Sequence, residues 1–420
     1  MALHIPLAWY GSVTIEKFVE FLYQNNLVQR LRFLFQLAEK IFDFPSATQN
    51  RLAHSLRVYN DTKELPENII KNFDSDTKKA LAAFALAHDV PHCPLSHTLE
   101  PFFGDHDNAA IDIIEQLKYS VELDGIDFEM FKGLMLHEKP EYKIVSDKNF
   151  GTDKLDYLKY DPLHCGAGNI IDTNFLRQHL HFENGQIMAQ IEAIEETKEL
   201  QKKYLDAYQS LYCSAQAMTW QRLSQKITQY CFFDGVFLAK EIRWWNDFEF
   251  WGRVAFVPLY HVQEMYQITK CARIPKTAIE FLPEDQIVKS NPYQHVLPEE
   301  FFTRIPDWKT MQATFNMETR IADLSGLESW RILLVSQDQP KKRFIPTDCK
   351  IIDNKGNISS LFELAPEHLA SMQKAARKSM FIRIAVIEKD GNETEKLRKA
   401  TEAIQSYLEC CIGKILEAKK

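Results

Sequence analysis

A mainly α-helical fold with a C-terminal α+β part is predicted by the apolar pattern of this 420-residue chain. Apolar residues recur at helical spacing through much of the first 265 residues, and strand-like apolar runs appear only later. Prolines cluster in the later part, at Pro275, Pro283, Pro292, Pro298 and Pro306. We therefore predict a helical domain over residues 1–265 and an α+β lobe over residues 266–420.

The chain is expected to open with helices, because helical periodicity runs from Thr14 through TIEKFVEFLYQNNLVQRLRFLFQLAEKIF. A turn is predicted at Asn25 and Asn26, which interrupt this pattern. Two further helices are predicted in AAIDIIEQLKY and in the amphipathic run from Gly185 to about Gln229.

A buried helix is predicted in FDSDTKKALAAFALAHDV. Asp74 and Ser75 are cap-type residues at its start, and the apolar face continues to His88. We therefore expect the His88 side chain to point inward from the last turn of this helix.

The predicted lobe contains strands in WRILLVS, CKIID and MFIRIAVIE, and it closes with an amphipathic helix in EKLRKATEAIQSYLECCIGKILEA. An aromatic cluster, RWWNDFEFW, precedes the lobe. Its Trp244, Trp245, Phe248 and Trp251 have near-helical spacing, which favours core packing or a subunit contact over a ligand platform.

Composition excludes several classes of function. The net charge of −8 predicts no general affinity for nucleic acid or an anionic membrane. No apolar run approaches the roughly 18 residues that a membrane span requires. The 8 cysteines form no CxxC pair, and the N-terminus has no basic-then-apolar secretory pattern, so we predict reduced thiols and a cytoplasmic protein.

Metal-type ligands are concentrated in LAHDVPHCPLSHTLEPFFGDHDNAA, residues 86–110. A divalent transition metal takes imidazole and carboxylate ligands, and the adjacent His88 and Asp89 offer both at one helix end. Alone, this dipeptide is more typical of a core histidine or a charge at a helix C-terminus. His54 lies 34 residues upstream of His88, and Asp153 lies 64 residues downstream of Asp89, which completes the order H…HD…D.

This order resembles the HD-domain phosphohydrolases, in particular the deoxynucleoside triphosphate triphosphohydrolases typified by the SAM-and-HD-domain protein. The resemblance covers three segments, VQRLRFLFQLAEKIFDFPSATQNRLAHSLRV, HDVPHCPLSHTLE and DKLDYLKYD, and it is weaker in KGNISSLFELAPEHLASMQKAARKSMFIRIAVIE. It implies an all-helical HD-domain core with a C-terminal α+β lobe. We expect no SAM module, since the similarity begins almost at the first helix.

The resemblance implies that His54, His88, Asp89 and Asp153 hold a divalent metal ion. Fe, Mn, Zn, Ni and Mg all suit two histidines and two aspartates, so the pattern does not identify the metal.

The resemblance also implies catalytic residues. His92 matches the catalytic histidine of the family, His106 matches a second one, and Glu100 matches an acid that orients the first. His97 is open to two interpretations, either a loop hydrogen-bonder or a residue that supports the metal or a phosphate.

Six residues match substrate contacts of the family: Gln36, Leu37, Arg51, Lys154, Tyr157 and Asp161. The first two would touch sugar and base, and the two cations would bind the triphosphate. The last two follow Asp153 on one helical face, where the family packs a ring against deoxyribose and directs an acid to the 3′-hydroxyl.

Three departures from the family pattern fall in the substrate region. Pro91 and Cys93 replace glycines after the His-Asp pair, and Ala38, Glu39 and Lys40 replace a glycine-rich stretch after the Gln-Leu pair. Tyr160 replaces an arginine before the last acid of the third motif.

We therefore predict a metal-dependent phosphohydrolase that converts a dNTP and water into deoxynucleoside and triphosphate. The alternatives are hydrolysis of another phosphoester, such as a monophosphate, cyclic or alarmone nucleotide, and a non-catalytic nucleotide sensor. The resemblance further implies a nucleotide substrate, an allosteric nucleotide and a homo-oligomer, either a dimer or a tetramer.

Overall fold

A computed structural model describes residues 3–103, 106–167, 171–288, 290–336 and 346–419, without the side chains of residues 106–110, 112 and 306. The described chain is mainly helical with an α+β portion, which confirms the predicted fold class. It forms two compact units, each described separately below.

Unit 1 comprises residues 1–207, 243–250 and 346–371. Its principal helices are Arg51–Lys63, Ser75–Ala87, His106–Leu123, Phe128–Met135, Thr152–His164 and Ile194–Ala207. Its shorter helices are Glu20–Gln24, Asn26–Arg30, Glu67–Ile70, Glu100–Phe103, Lys143–Ser146, Asn174–Gln178 and Leu361–Leu364.

Unit 1 also contains two small sheets. Leu3–Leu7 and Gly11–Ile15 form an antiparallel hairpin. A four-stranded sheet has the order Leu180–Glu183, Gln186–Gln190, Lys350–Ile352 and Ile358–Ser360. The pairing of Gln186–Gln190 with Lys350–Ile352 is parallel, so a strand from late in the chain completes a sheet that begins far earlier.

Unit 2 comprises residues 208–242, 251–345 and 372–420. Its helices include Ala215–Phe233, Tyr260–Lys270, Met311–Ser325, Glu393–Lys399 and Thr401–Glu417, with shorter ones at Ala239–Ile242, Glu299–Thr303 and Ile305–Trp308. Its sheet has the order Gln294–Val296, Lys276–Leu282, Ile382–Val386 and Ile332–Ser336. The helices Asp247–Val254 and Pro366–Arg377 have residues in both units.

The core of unit 2 follows from simple periodicity. Ile404, Leu408, Ile412 and Leu416 lie four residues apart on the last helix, and all four are buried in one apolar cluster with the sheet. Residues at this spacing share one face of a helix. The amphipathic pattern of the final segment therefore buries its stripe as predicted, although Ala400 divides the segment into two helices.

Several predicted elements are confirmed and two are wrong. Strands form in WRILLVS, CKIID and MFIRIAVIE, and Asn25 caps a helix at the predicted turn. The chain opens with the hairpin, not with helices, since Thr14 lies in its second strand. The run from Gly185 begins as the strand Gln186–Gln190 before the helices start. In the hairpin, Val13 and Ile15 are buried on one face of the second strand, a two-residue alternation too short to distinguish from the start of the helical pattern at Thr14.

The division at residue 265 stays a prediction about domains. The compact units follow a different partition, because residues 346–371 belong to unit 1 and residues 208–242 belong to unit 2. Among the described residues, no helix combines the length and the apolar character needed to span a membrane.

Candidate metal centre

His54 is delivered by the helix Arg51–Lys63, called here the His54 helix. The Asn50 side chain caps it by accepting a hydrogen bond from the backbone N–H of Ala53. Its interior contains neither glycine nor proline, and the His54 side chain, in the first turn, is buried.

His88 and Asp89 lie at the end of the helix Ser75–Ala87. Asp74 is its N-cap and accepts from the backbone N–H of Thr77, as its cap-type sequence predicts. The helix ends at Ala87, so His88 is the C-cap residue and Asp89 lies in the following turn. The inward direction predicted for His88 is confirmed, since its Nε2 atom is buried.

Asp153 lies in the first turn of the helix Thr152–His164, called here the Asp153 helix. Gly151 precedes it, and a Cβ atom at that position would overlap the backbone oxygen of Val145. Only glycine fits this close approach. The approach fixes where the Asp153 helix starts, and therefore where the Asp153 carboxylate lies.

The four predicted ligands converge. The Nε2 atom of His54 lies 3.0 Å from a carboxylate oxygen of Asp153 and 3.8 Å from one of Asp89. The Nε2 atom of His88 lies 3.6 Å from Asp89 and 3.8 Å from Asp153. An ion that holds its ligands at about 2.0–2.2 Å separates neighbouring ligand atoms by roughly 3 Å and opposite ones by roughly 4 Å. The observed separations have this size.

The second nitrogen of each imidazole is already bonded. The Nδ1 atom of His54 donates to Asp156 at 2.6 Å, and that of His88 donates to the backbone oxygen of Ala85 at 2.8 Å. Both contacts fix the ring tautomer and direct Nε2 to the shared centre, as outer partners of metal-ligating histidines do.

An orphaned atom tests whether the residues fit a cation. The buried Nε2 atom of His88 has no hydrogen-bond partner, although carboxylate oxygens of Asp89 and Asp153 lie just beyond bonding distance. A buried polar atom without a partner is costly, and a cation between these three groups would satisfy it. The arrangement therefore fits a divalent metal ion.

Electrostatics point the same way. Burial lowers the pKa of His54, but hydrogen bonds with Asp153 and Asp156 outweigh it and raise that pKa to about 10. Burial raises the pKa of Asp89, but Arg51 and the neighbouring histidines hold it well below its usual range. The centre thus concentrates ionised carboxylates and retains a proton on His54 that a cation would replace.

Arg51 supports the centre directly. Its guanidinium donates to Asp89 at 2.8 Å and to the hydroxyl of Ser96 at 2.9 Å. Leu95 and Ser96 both have positive φ angles, 55° and 49°, which are strained for these residue types. The backbone N–H of Leu95 is held by the carboxylate of Asp247 at 2.7 Å.

The predicted proton-transfer residues lie in the loop after Asp89. The Nε2 atom of His92 is 3.2 Å from Asp89, and His92 is almost fully buried. His97 is the bonded partner of Glu100, at 2.6 Å, and its side chain is 44% exposed. His92, His97 and Glu100 form a second cluster of ligand-type atoms. The side chain of His106, at the start of a helix, lies outside the described residues.

The predicted sugar residues follow Asp153 along its helix. Tyr157 is half-buried, and burial raises its pKa well above the usual value, so it is a neutral phenol. Asp161 is buried and accepts from the Nε2 atom of Gln49 at 2.5 Å. Lys154 is also buried, and its ammonium donates to the backbone oxygen of Lys148. Its role toward a triphosphate stays a prediction.

Gln36 and Leu37 precede a strained backbone. The Oε1 atom of Gln36 is buried without a hydrogen-bond partner, and Leu37 is buried. Ala38, which stands where the resembling family has glycine, has a φ of 46°. The left-handed conformation is therefore adopted by an alanine here.

Three residues of this region were missed by the sequence analysis: Asp156, Arg57 and Gln49. The guanidinium of Arg57 binds both carboxylate oxygens of Asp156, at 2.7 and 2.9 Å, and lies over the ring of Tyr160 at 4.2 Å. Asp156 was detectable, since it lies three residues after Asp153 and therefore near the same helical face. Nothing in the local sequence singles out the other two.

No family model matches the chain. An HD domain-containing protein of Acanthamoeba polyphaga mimivirus is 26% identical over 40% of this chain and 44% of its own length. The deoxynucleoside triphosphate triphosphohydrolase SAMHD1 of Gallus gallus is 28% identical over 39% of this chain and 34% of its own. The chain thus spans less than half the length of these curated relatives.

Two solved structures share the fold. A phosphohydrolase from Bacteroides thetaiotaomicron superposes with a TM-score of 0.70 at 16% identity, over 92% of this chain and all of that one. A hypothetical protein from Aquifex aeolicus gives 0.69 at 18% identity, over 96% and 100%. The resemblance to HD-domain proteins is confirmed by these relatives, and the two solved structures show the same fold.

Proposed function

We propose that the chain is a metal-dependent phosphohydrolase that cleaves dNTPs to deoxynucleoside and triphosphate. The observation that carries the proposal is the convergence of His54, His88 and Asp89, whose ligand atoms lie within 4.8 Å of one another. Asp153 lies against both histidines. Two histidines and two carboxylates suit a hydrolytic cation and leave coordination positions for water and a phosphoryl oxygen.

His54, His88, Asp89 and Asp153 would hold a divalent ion, which would supply Lewis acidity and activate water for attack. Asp156 orients His54, and Arg51 orients Asp89 while it adds positive charge for the phosphate oxygens. His92, next to Asp89, is the predicted catalytic histidine and stays in that role here.

The exposed pair His97 and Glu100 suits proton transfer to the leaving oxygen. Glu100 accepts from the Nδ1 atom of His97, which orients the ring, and the half-exposed ring is accessible to a reactant. We expected Glu100 to orient His92, and the contact with His97 adds a second acid–base group to the proposal. An allosteric nucleotide and a homo-oligomer stay predictions.

The test is product analysis on Mn²⁺-loaded protein. Wild type, His88→Ala and the matched control His181→Ala are incubated with the four dNTPs, the NTPs and a set of monophosphates, and products are resolved by ion-exchange chromatography. His181 lies on a strand outside both ligand clusters. We expect triphosphate plus deoxynucleoside from wild type and control, and at least about 100-fold less from His88→Ala, since even outer partners of a metal contribute 10- to 100-fold.

Cleavage of monophosphates alone would retain the metal centre and reassign the substrate. Equal activity of His88→Ala and wild type would contradict the proposed centre. No turnover by any sample, with mixed dNTPs present as activators, would favour a nucleotide sensor.

A further inference from the structure

A continuous chain of hydrogen bonds, called here the relay, joins the metal centre to Asp161. It runs through Gln49, Arg57 and Asp156. Its contacts are Asp161 to Gln49 at 2.5 Å, Gln49 to Arg57 at 3.3 Å and Arg57 to Asp156 at 2.7 and 2.9 Å. The last contact is Asp156 to His54 at 2.6 Å. All of these side chains are buried.

We propose that this relay is a positioning device that couples occupancy at Asp161 to metal binding at His54. The proposal rests on the proposed function, with Asp161 in the sugar-binding role that the family resemblance implies. Gln49 and Arg57 are its positioning residues, because they act through the carboxylates on either side of them.

The geometry of Arg57 supports this role. Its Nε and Nη2 atoms each donate to one oxygen of Asp156, and Nη2 also donates to the side-chain amide oxygen of Gln49. A guanidinium is planar and rigid, so its two partners cannot shift independently. The ring of Tyr160 lies against the guanidinium and limits its tilt.

Gln49 links Arg57 to Asp161 through the two ends of its side-chain amide. Its amide accepts from Arg57 through Oε1 and donates to Asp161 through Nε2. A ligand hydroxyl on Asp161 competes with or reorients this donor, and the planar amide passes the change to Arg57. The hydrogen bond from Nδ1 of His54 to Asp156 then changes in length or strength, which alters the affinity of His54 for the metal ion.

The first experiment measures Mn²⁺ affinity by isothermal titration with and without 2′-deoxyadenosine. We expect saturating deoxyadenosine to change the Mn²⁺ Kd of wild type by about fivefold or more, which is the usual range for coupled sites. Gln49→Leu should reduce that factor to about one and change the Kd without nucleoside less than about threefold.

Gln229→Leu is the matched control. Gln229 is a buried glutamine that accepts from a buried arginine, Arg222, in the same way but in unit 2. Its replacement should leave the coupling factor at the wild-type value. A coupling factor that survives Gln49→Leu would overturn the relay.

The second experiment concerns the metal alone and does not depend on a nucleotide. Arg57→Ala should weaken Mn²⁺ binding by about 10- to 100-fold. Arg222→Ala, which removes a buried arginine from the other cluster, should not, although both lower stability. Adding Tyr160→Arg to Arg57→Ala should restore Mn²⁺ affinity, since position 160 follows Asp156 by four residues and an arginine there can reach its carboxylate.

Outcomes separate the two proposals. Unchanged Mn²⁺ affinity in folded Arg57→Ala would overturn the relay and leave the proposed function intact. Mn²⁺ binding by wild type without any response to deoxyadenosine would overturn the coupling to Asp161. Absence of Mn²⁺ binding by wild type would overturn both.

Discussion

Two buried ion clusters, one in each unit, are built from the same contacts of an arginine with a carboxylate and a glutamine. They differ in the other partners of the carboxylate. In unit 1, Arg57 holds Asp156 through Nε and Nη2 and shares Nη2 with Gln49. In unit 2, Arg222 holds Glu318 through the same two atoms, each at 2.7 Å, and shares Nη2 with Gln229 at 3.4 Å.

The difference lies on the far side of each carboxylate. Glu318 also accepts from Lys226 at 2.9 Å and from the backbone N–H of Leu334 at 2.8 Å, and Lys226 donates further to the carbonyls of Ser329 and Ile332. Asp156 instead holds His54, whose Nε2 faces two more carboxylates and a second imidazole.

The two clusters also differ in their balance of positive and negative side chains. The unit 2 cluster has two cations, Arg222 and Lys226, for the single anion Glu318. The unit 1 cluster has two guanidiniums, Arg51 and Arg57, for three carboxylates, those of Asp89, Asp153 and Asp156, so the proton on His54 supplies the third positive charge. A bound cation can therefore replace the His54 proton in unit 1, whereas the single carboxylate of the unit 2 cluster already has two cationic partners.

The largest effect is expected from Glu318→Ala. It leaves Arg222 and Lys226 buried without a counter-charge, and the free energy of unfolding should fall by about 3–5 kcal/mol. Urea denaturation measures the loss, and the isosteric Glu318→Gln, which keeps an acceptor, should cost less. A loss below about 1 kcal/mol would contradict the scaffold role of this cluster.

The reverse behaviour is expected from His88→Ala. The metal-free variant should lose only about 1 kcal/mol of unfolding free energy, because it loses one hydrogen bond, from Nδ1 of His88 to the backbone oxygen of Ala85, and the buried Nε2 atom has none to lose. Mn²⁺ at 100 times its Kd should stabilise wild type by about 2.7 kcal/mol and the variant by almost nothing. Thermal denaturation with Mn²⁺ and with a chelator checks this, and equal stabilisation of both proteins would refute the centre.

A third buried acid, Asp247, sharpens the comparison, because its hydrogen bonds come from the backbone of Phe35 and Leu95 and not from a cation. Burial raises its pKa to about 6. The folded state therefore binds a proton more tightly than the unfolded chain does, whose aspartate pKa is about 3.9. The resulting stabilisation is present below about pH 4 and is lost as the pH rises through about 6.

Asp247→Asn should remove this dependence. The difference in unfolding free energy between wild type and variant should change by about 2 kcal/mol between pH 4 and pH 6.5. Denaturant titrations across that range measure it, and a constant difference would show that Asp247 titrates normally.

The smallest effect is expected at Ala38, whose φ of 46° is strained. Ala38→Gly relieves about 1–2 kcal/mol of strain and loses about 0.5–1 kcal/mol to chain entropy, so the net stabilisation should be about 0.5 kcal/mol. Ala53→Gly, inside the His54 helix, is the control and should destabilise by about 1 kcal/mol. Equal changes at both positions would show that Ala38 is not strained in solution.

The helix ends and first turns that carry the four candidate ligands were partly predictable because local sequence is informative there, whereas the family resemblance selected the ligands themselves. Caps at Asp74 and the end of the helix before His88 follow from short-range chemistry. The pairing of Glu100 with His97 did not follow, since it depends on how the loop after Asp89 turns. The opening hairpin was missed because its alternation is short.

By itself the sequence determined the helical class and the late strands, because these depend on periodicity and caps. Its resemblance to a known family, and not its periodicity, pointed to His54, His88, Asp89 and Asp153. Only the tertiary structure decided that Lys350–Ile352 joins a sheet with Gln186–Gln190. It alone also brought Gln49 and Arg57 into line between Asp161 and Asp156, roughly a hundred residues away. Such pairings depend on how separate segments pack against one another, and no local pattern of charge or hydrophobicity records that choice.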